Sequence, residues 1–401
     1  MNVLKGFALG VLSFLLFLSL SILGLAITLN YTILNPDFVT AEIDKLDISS
    51  LAEEFLSEET AQEDFSATLV DTITEIEPLL KEQVSAAIYP IFDYLRGKSQ
   101  NLDLSLVLGD TFLSPKFIAS LLDKIDVSFL AREFLTEQLF KDIPKELEFV
   151  TEYVDDAVDK LEPVIKEELT AAADPISDYL LGKSQSFNIV ISLEPAVESL
   201  KDDLRAAFLE SPPLELAGLS MAQLEQYFNE YFREFTKIIP LTFEINESIL
   251  GTEIPIQIAE ALAEGEIALA QAKEYVDQFQ LGYKVLIGFI VLVILGIILL
   301  NRQVRSATRK IGTTFLVVGA FGLAEIFFVS RFVLPKFVLP QIAQLGIAAW
   351  LQAWLSQLFT DFLAPWQMFS IGLAAGGVVL LIVSFVYRPR ESTPESQSPT
   401  F

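Results

Sequence analysis

LGYKVLIGFIVLVILGIILL, at residues 281–300, is the stretch that decides the class of fold. Its only charged residue is Lys284, and about 20 mostly apolar residues suffice for an α-helix to cross a bilayer. The next ten residues, 301–310, hold three arginines, one lysine and no acid. Because basic loops stay on the cytoplasmic side, the two segments together predict a membrane helix whose C-terminal end lies inside the cell.

Three further apolar stretches have the same character. They lie at residues 7–29, 311–334 and 366–387. The first holds 23 residues without a charge, which exceeds the apolar core of a signal peptide, so residues 1–29 are predicted to be a signal anchor, with cleavage after Ala26 as the alternative. We therefore predict a mainly α, multi-pass protein of the plasma membrane, with four transmembrane helices, both termini cytoplasmic and membrane lipids as its first partners.

The acidic residues locate the rest of the mass. Residues 30–280 hold 50 of the 54 Asp and Glu residues but 17 of the 27 Lys and Arg residues, a net charge of −33. We predict that this domain lies outside the cell, since the basic segments mark the cytoplasmic side. Its negative field repels nucleic acid. The expected partner is a protein or a second copy of the chain, with a basic or cation-bridged surface.

An internal duplication is the most specific pattern in this domain. Residues 44–59, DKLDISSLAEEFLSEE, match residues 123–138, DKIDVSFLAREFLTEQ, at 10 of 16 positions. Residues 77–100 match residues 162–185 at 15 of 24 positions, and both of these blocks end in Gly-Lys-Ser-Gln. The second copy has gained six residues between the blocks, which we place near residues 141–145.

Each repeat is predicted to consist of helices followed by one strand. Gly97 and Gly182 stand where helix C-caps are expected, and apolar alternation begins directly after each of them. Strands are therefore predicted at 101–108 and 186–193, with a third near 241–245, in one small sheet covered by helices. The predicted segments are repeat 1 at 30–110, repeat 2 at 111–193, a degenerate third unit at 194–254, a helical stalk at 255–280, the membrane part at 281–387 and a disordered cytoplasmic tail at 388–401.

Cysteine and histidine are both absent from the chain. Their absence removes disulfides, thiolate nucleophiles, histidine-based triads and the usual protein ligands of zinc and haem. The Gly-Lys-Ser turns at 97–99 and 182–184 share three letters with the end of a phosphate-binding loop, but the glycine five positions earlier is missing. We predict no catalytic residue, no cofactor and no metal ligand, and a carboxylate-based hydrolase is the enzyme alternative.

Glu325 is the acid that stands out in the predicted spans. A charged side chain there costs about 2.5–3.5 kcal/mol on insertion scales, so the carboxylate should face protein or water. Arg331 follows six residues later, beyond the usual i+4 reach, and a partner on another helix is equally compatible. We predict a structural polar contact for Glu325 and Arg331, with an ion or proton pathway as the alternative.

Two further features bear on packing of the membrane part. Gly6 with Gly10, and Gly372 with Gly376, have the small-xxx-small spacing that predicts close approach of helices, within one chain or between two copies. Segment 336–364 is too polar for a confident span and is predicted to be an interfacial helix on the outer leaflet. Packing of this segment on the other helices or on the outer domain is the alternative.

These patterns favour a non-enzymatic function. The repeat maps onto caps, turns and core positions and needs no substrate to explain it. The expected function is binding of a macromolecular partner, or organisation of the cell surface, by the acidic outer domain. A sensor or transporter-associated subunit is the first alternative, because the stalk at 255–280 runs directly into the span at 281–300, and the hydrolase is the second.

Overall fold

A computed structural model of the 401-residue chain describes residues 2–59, 63–124, 154–192, 194–210, 212, 216, 218–238, 242–301, 303–344 and 348–386. The described residues are mostly helical, at 85%, with a small two-stranded sheet. It divides into two compact units. The first contains Met1–Asp47, Ile91–Gln100 and Ala270–Phe401, and the second contains Ile48–Pro90 and Asn101–Leu269.

Fifteen α-helices, two strands and one π-helical segment form the described part of the chain. In chain order they are α1 (Asn2–Tyr31), α2 (Pro36–Asp44), α3 (Ile48–Glu59), α4 (Glu63–Leu95), α5 (Leu104–Asp110), α6 (Pro115–Lys124), α7 (Val154–Ala171), α8 (Ala173–Leu180), β1 (Asn188–Ser192), α9 (Glu194–Glu210), α10 (Met221–Ile238), β2 (Thr242–Asn246), α11 (Glu247–Leu250), α12 (Ile254–Asn301), α13 (Val304–Phe328), the π-helix (Val329–Val338), α14 (Leu339–Gln344) and α15 (Ala349–Val386).

Among the described residues, four helices are long and apolar enough to cross a membrane, which confirms the number predicted from the sequence. They are Lys5–Tyr31, Ile254–Asn301, Val304–Gln341 and Ala349–Val386, and the bent pair of α5 and α6 passes the same test when taken as one. The predicted stalk and the span after it form one helix, α12. α15 has 38 residues, so it is about 57 Å long and extends well beyond a hydrocarbon core of about 30 Å.

One apolar core joins the span helices of the first unit. It contains Leu9, Leu16 and Leu20 from α1, Ile290, Val293 and Ile297 from α12, Ile311 and Val318 from α13, and Leu373 from α15. The helices α13 and α15 approach so closely that backbone meets backbone. A Cβ atom placed on Gly319 would lie 2.5 Å from Ala374 N, and one placed on Gly377 would lie 2.5 Å from Leu316 N.

The glycines at this contact are not the ones that the spacing indicated. A Cβ atom on Gly6, Gly10 or Gly372 would meet nothing within 4 Å, and one on Gly376 would just touch Phe315 at 4.0 Å. The small-xxx-small prediction was therefore wrong for contacts within this chain. Spacing alone identifies a smooth stripe on a helix, but the direction of that stripe is set by the larger apolar side chains that pack beside it.

In the second unit, β1 and β2 form an antiparallel pair in which Ile189 lies opposite Ile245. The strands predicted at 186–193 and near 241–245 are confirmed over Asn188–Ser192 and Thr242–Asn246; residues 186 and 187 precede β1, and residues 193 and 241 lie outside the described residues. The strand predicted at 101–108 is wrong, because Leu104–Asp110 is the helix α5. The first-repeat partner predicted for β1 is therefore replaced by β2.

The local chemistry explains this difference between the two repeats. Asp103 acts as an N-cap, since its Oδ1 accepts from the backbone N–H of Leu106 at 3.0 Å, and leucine is a strong helix former. The corresponding stretch in β1 reads Ile189-Val190-Ile191, and β-branched residues favour strands. Period-two alternation of apolar residues fits both outcomes over so short a stretch.

Two prolines of the second unit, Pro78 and Pro163, lie within long helices. Pro78 lies inside α4 and Pro163 inside α7, so neither begins a new helix. Near Pro78, the Glu77 carboxylate accepts from the backbone N–H of Ser49 at 3.1 Å and pairs with Lys81 at 2.6 Å. These bonds hold the start of α3 against the part of α4 that belongs to the second unit.

Segment 336–364 is not a single interfacial helix. Its beginning belongs to the π-helix and to α14, and residues 349–364 are the first part of α15. Pro365 lies inside α15, where it lacks the N–H that would donate to the preceding turn. The predicted insertion near 141–145 and the tail at 388–401 lie outside the described residues.

Candidate functional site

The two Gly-Lys-Ser turns have the same backbone geometry. Gly97 has a φ of 73° and Gly182 a φ of 68°, in the left-handed region that glycine adopts most easily. In the first turn the amides of the lysine and the serine donate to the carbonyl of Asp93 at 2.8 and 3.0 Å, and in the second to that of Asp178 at 2.8 and 3.1 Å. The amides that a phosphate loop would present to a ligand are therefore used to close helices, as predicted.

The tyrosine that precedes each turn packs differently in the two repeats. In the first unit, Lys273 Nζ lies 4.1 Å from the ring centroid of Tyr94 and donates to the carbonyl of Ser99 at 3.3 Å. In the second unit, the Tyr179 hydroxyl donates to the carbonyl of Gly251 at 3.0 Å. One turn thus fixes the C-terminal end of α4 to α12, and the other fixes α8 to the loop before α12.

An exposed face of α12 in the second unit combines carboxylates with apolar side chains. Glu253, Ile256, Glu260, Glu264 and Ile267 recur at spacings of three or four residues, so they share one side of the helix. Ile256 is 60% exposed and Ile267 is 61% exposed, and the three glutamates are exposed as well. Within the described part of the chain these glutamates make no ion pair. We call these five residues the acidic face.

Other residues of α12 face the interior of the second unit. A cavity of about 200 Å³ is lined by Ser105, Leu180, Leu181, Pro255, Ile258, Ala259, Leu262, Ala263 and Glu266. Glu266 Oε1 accepts from the backbone N–H of Leu104 at 2.9 Å, so this carboxylate caps α5. The cavity is smaller than the roughly 300–1,000 Å³ of typical ligand pockets and is mainly apolar, which fits a packing defect better than a ligand site.

A polar cluster in the first unit joins α2 to the first part of α15. Lys45 Nζ lies 2.7 Å from Glu42 Oε1 and 2.7 Å from Asp361 Oδ2. Gln357 donates to the same Asp361 oxygen at 2.9 Å, and the Trp354 indole N–H donates to the carbonyl oxygen of Glu42 at 3.0 Å. We call these five residues the α2–α15 cluster.

Burial distinguishes the three charged groups of this cluster. Glu42 is 4% exposed, and its Oε2 atom has no hydrogen-bond partner. The side chains of Lys45 and Asp361 are 43% and 28% exposed. Hydrogen bonds to Asp361 and then to Glu42 raise the pKa of the Lys45 ammonium group above its ordinary value. Glu42 and Asp361 also lie within hydrogen-bond reach of each other, so a proton shared by the two carboxyl groups, or a cation, would balance the negative charge that Lys45 leaves.

The sequence analysis missed this cluster. Asp361 lies in segment 336–364, and it is one of only four acids outside residues 30–280. That position is a signal, because an acid in an apolar segment calls for a partner. The partner itself could not be read from the pattern, since Lys45 and Asp361 are 316 positions apart.

Glu325 and Arg331 are not brought together by the structure. Glu325 is half-buried near the end of α13, and Arg331 is exposed within the π-helix. Neither side chain has a hydrogen bond or an ion pair within the described part of the chain. The change to π-helical geometry begins close by, where the Val329 N–H donates to the carbonyls of both Glu325 and Ile326. The predicted contact of Glu325 with another helix stays a prediction.

Comparison of the chain with protein families, with curated proteins and with solved structures gave no match. The described residues also contain no group of three or more acidic side chains placed to hold a metal ion. The candidate sites are therefore the acidic face of α12 and the α2–α15 cluster.

Proposed function

We propose that this protein is a multi-pass protein of the plasma membrane that binds a basic macromolecular partner through its acidic, duplicated domain, without chemical conversion of that partner. In this proposal residues 30–280 lie outside the cell, both termini lie inside, and the two repeats arose by duplication. The basic loop at 301–310 and the sequence identity between the repeats support these placements. The four apolar helices provide the attachment to the membrane.

The acidic face of α12 is the observation that carries this proposal. Isolated exposed isoleucines are common on protein surfaces, but here two of them alternate with three carboxylates that make no ion pair in the described chain. An amphipathic helix with lysine or arginine beside apolar residues would cover the isoleucines and neutralise the glutamates. The net charge of −33 in residues 30–280 would attract such a partner over the Debye length of about 10 Å at 0.1 M salt.

Site-specific photocrosslinking in native membranes tests this proposal. A photoreactive amino acid replaces Ile256 or Ile267, and the matched control replaces Met221, an equally exposed apolar side chain on α10. We expect a crosslinked species of defined mass from the two α12 positions and none from position 221. Exchange of Glu260 and Glu264 for glutamine should weaken the crosslink, and rising salt should weaken it in parallel.

Three other outcomes would refute, specify or replace a part of the proposal. A crosslink that persists at high salt and in the double glutamine variant would refute electrostatic recognition. A crosslinked product that is a second copy of the chain would identify the partner as the protein itself. Hydrolytic turnover by the purified full-length protein, lost when one pair of carboxylates is changed, would replace binding with the carboxylate-based hydrolase.

A further inference from the structure

The α2–α15 cluster contains more acceptor capacity than its donors satisfy. The only described donors to the two side-chain carboxylates are Lys45 and Gln357, and both bind Asp361 through Oδ2. Glu42 Oε2 is buried and has no hydrogen-bond donor among the described residues, and the Glu42 and Asp361 carboxyl groups lie within hydrogen-bond reach of each other. Buried carboxylate oxygens normally accept hydrogen bonds or bind cations, because desolvation without a partner is costly.

The two carboxylates are also close enough to share one ligand. Each has an oxygen 2.7 Å from the same ammonium nitrogen, so these two oxygens lie no farther apart than twice that distance. The charged and titratable groups that act on Lys45 are Glu42 and Asp361 alone. With both carboxyl groups ionised, the cluster keeps one excess negative charge next to a buried oxygen that no described donor reaches.

We propose that Glu42 and Asp361 form a binding site for one hydrated divalent cation, and that the cation exchanges with the ammonium group of Lys45. Two carboxylates from the protein, with water in the other positions, form a coordination sphere that magnesium accepts and that calcium fills with more oxygens. A divalent ion neutralises both carboxylates, whereas Lys45 neutralises one. The Lys45 side chain is nearly half exposed and can move into solvent when the ion binds.

Exchange with Lys45 links the ion to the packing of α2 on α15. In the ion-free form, Lys45 connects the end of α2 to Asp361, and the Trp354 indole holds the carbonyl of Glu42. In the ion-bound form, the same two helices would be connected through Glu42 and Asp361 directly. Because Trp354 touches the residue that binds the ion, its fluorescence should report binding.

Luminescence of terbium(III), an oxygen-binding substitute for calcium, tests the proposal in the full-length protein in detergent or nanodiscs. Selective excitation of tryptophan should produce saturable terbium emission, and calcium or magnesium should displace it. Glu42→Gln and Asp361→Asn should each weaken the apparent affinity about tenfold or more, because each removes one of the two anionic ligands. Asp202→Asn, a change at an exposed carboxylate on α9, serves as the matched control and should leave the emission unchanged.

Lys45→Met separates a cation site from an ion pair that only joins two helices. The variant keeps both carboxylates and removes the competing positive charge, so terbium and calcium should bind about tenfold more tightly or better. Calcium should also raise the thermal unfolding temperature of this variant more than that of the unchanged protein.

Two results would overturn the proposal. One is emission that does not saturate or that is unchanged in both carboxylate variants, in which case a water molecule satisfies Glu42 Oε2. The other is equal or weaker ion binding by Lys45→Met, which would show that the lysine is a structural partner and not a competitor. Size-exclusion chromatography establishes folding of each variant, and Asp361→Asn decides the outcome if Glu42→Gln does not fold, because Asp361 is the more exposed side chain.

Discussion

Replacement of Gly319 by alanine should strongly lower the free energy of unfolding of the first unit. The new Cβ atom would lie 2.5 Å from Ala374 N and 2.6 Å from Ser370 O, both backbone atoms of α15. Comfortable non-bonded contacts begin at about 3.5 Å, so α13 and α15 would have to separate by about 1 Å. Overpacking of this kind costs about 1–3 kcal/mol, and we expect a value near the upper end because neither backbone can rotate away.

Gly372→Ala is the matched control on the same helix pair, since its Cβ atom would meet nothing within 4 Å. It should leave the free energy of unfolding unchanged or raise it by up to about 1 kcal/mol, as expected from helix propensity. Steric-trap unfolding in bicelles measures both values. Equal free energies of unfolding for Gly319→Ala and Gly372→Ala would refute the close backbone contact between α13 and α15.

Three further predictions concern charge and topology. Burial raises the pKa of Glu77, but hydrogen bonds from Lys81 and Ser49 together outweigh this effect, so the net pKa lies below its ordinary value. The ionised carboxylate should therefore stabilise the fold fully at neutral pH, and this contribution should be lost as the pH falls through the folded-state pKa. Glu77→Gln should flatten the acid side of a profile of thermal unfolding temperature against pH. Glu325→Gln should preserve assembly, measured by size-exclusion chromatography, better than Glu325→Leu, whereas loss of an ion flux in both folded variants would favour the pathway. Single cysteines at Ser186 and Ser306 should differ in reaction with an impermeant maleimide on intact cells, and equal labelling would contradict the proposed topology.

Spans and caps could be predicted from the sequence because both depend on neighbouring residues. The four apolar helices follow from runs of about 20 or more residues that are mostly apolar and hold at most two charges, a length and composition typical of membrane spans. Gly97 and Gly182 follow from the need for a left-handed residue at the end of a helix. In both cases the pattern and its physical cause lie within one short segment.

The strand predicted at 101–108 shows that apolar alternation over a short segment does not distinguish a strand from a helix. Leu104, Leu106 and Leu108 alternate as in a strand, yet Asp103 caps a helix over the same residues. A strand also needs an edge to pair with, and β1 is paired with β2. Apolar alternation alone does not separate the two outcomes, whereas the Asp103 cap and the leucines favour the helix; the pairing of β1 with β2, about 140 residues from this segment, could not be read from periodicity either.

The α2–α15 cluster could not be predicted for a related reason, and that reason bears on its function. Ion pairs with buried groups stabilise a fold weakly, because desolvation of the charges offsets most of their attraction. A glutamine in place of Glu42 would keep a hydrogen bond and remove the excess charge, so stability alone does not account for a buried carboxylate with an unpaired oxygen. A divalent ion in place of the Lys45 ammonium group would account for it, since the ion neutralises both carboxylates and occupies the oxygen that no donor reaches. The same reasoning predicts that divalent ions should raise the thermal unfolding temperature of the first unit more than monovalent ions do at equal ionic strength. Only a divalent ion neutralises the charge of both carboxylates at once.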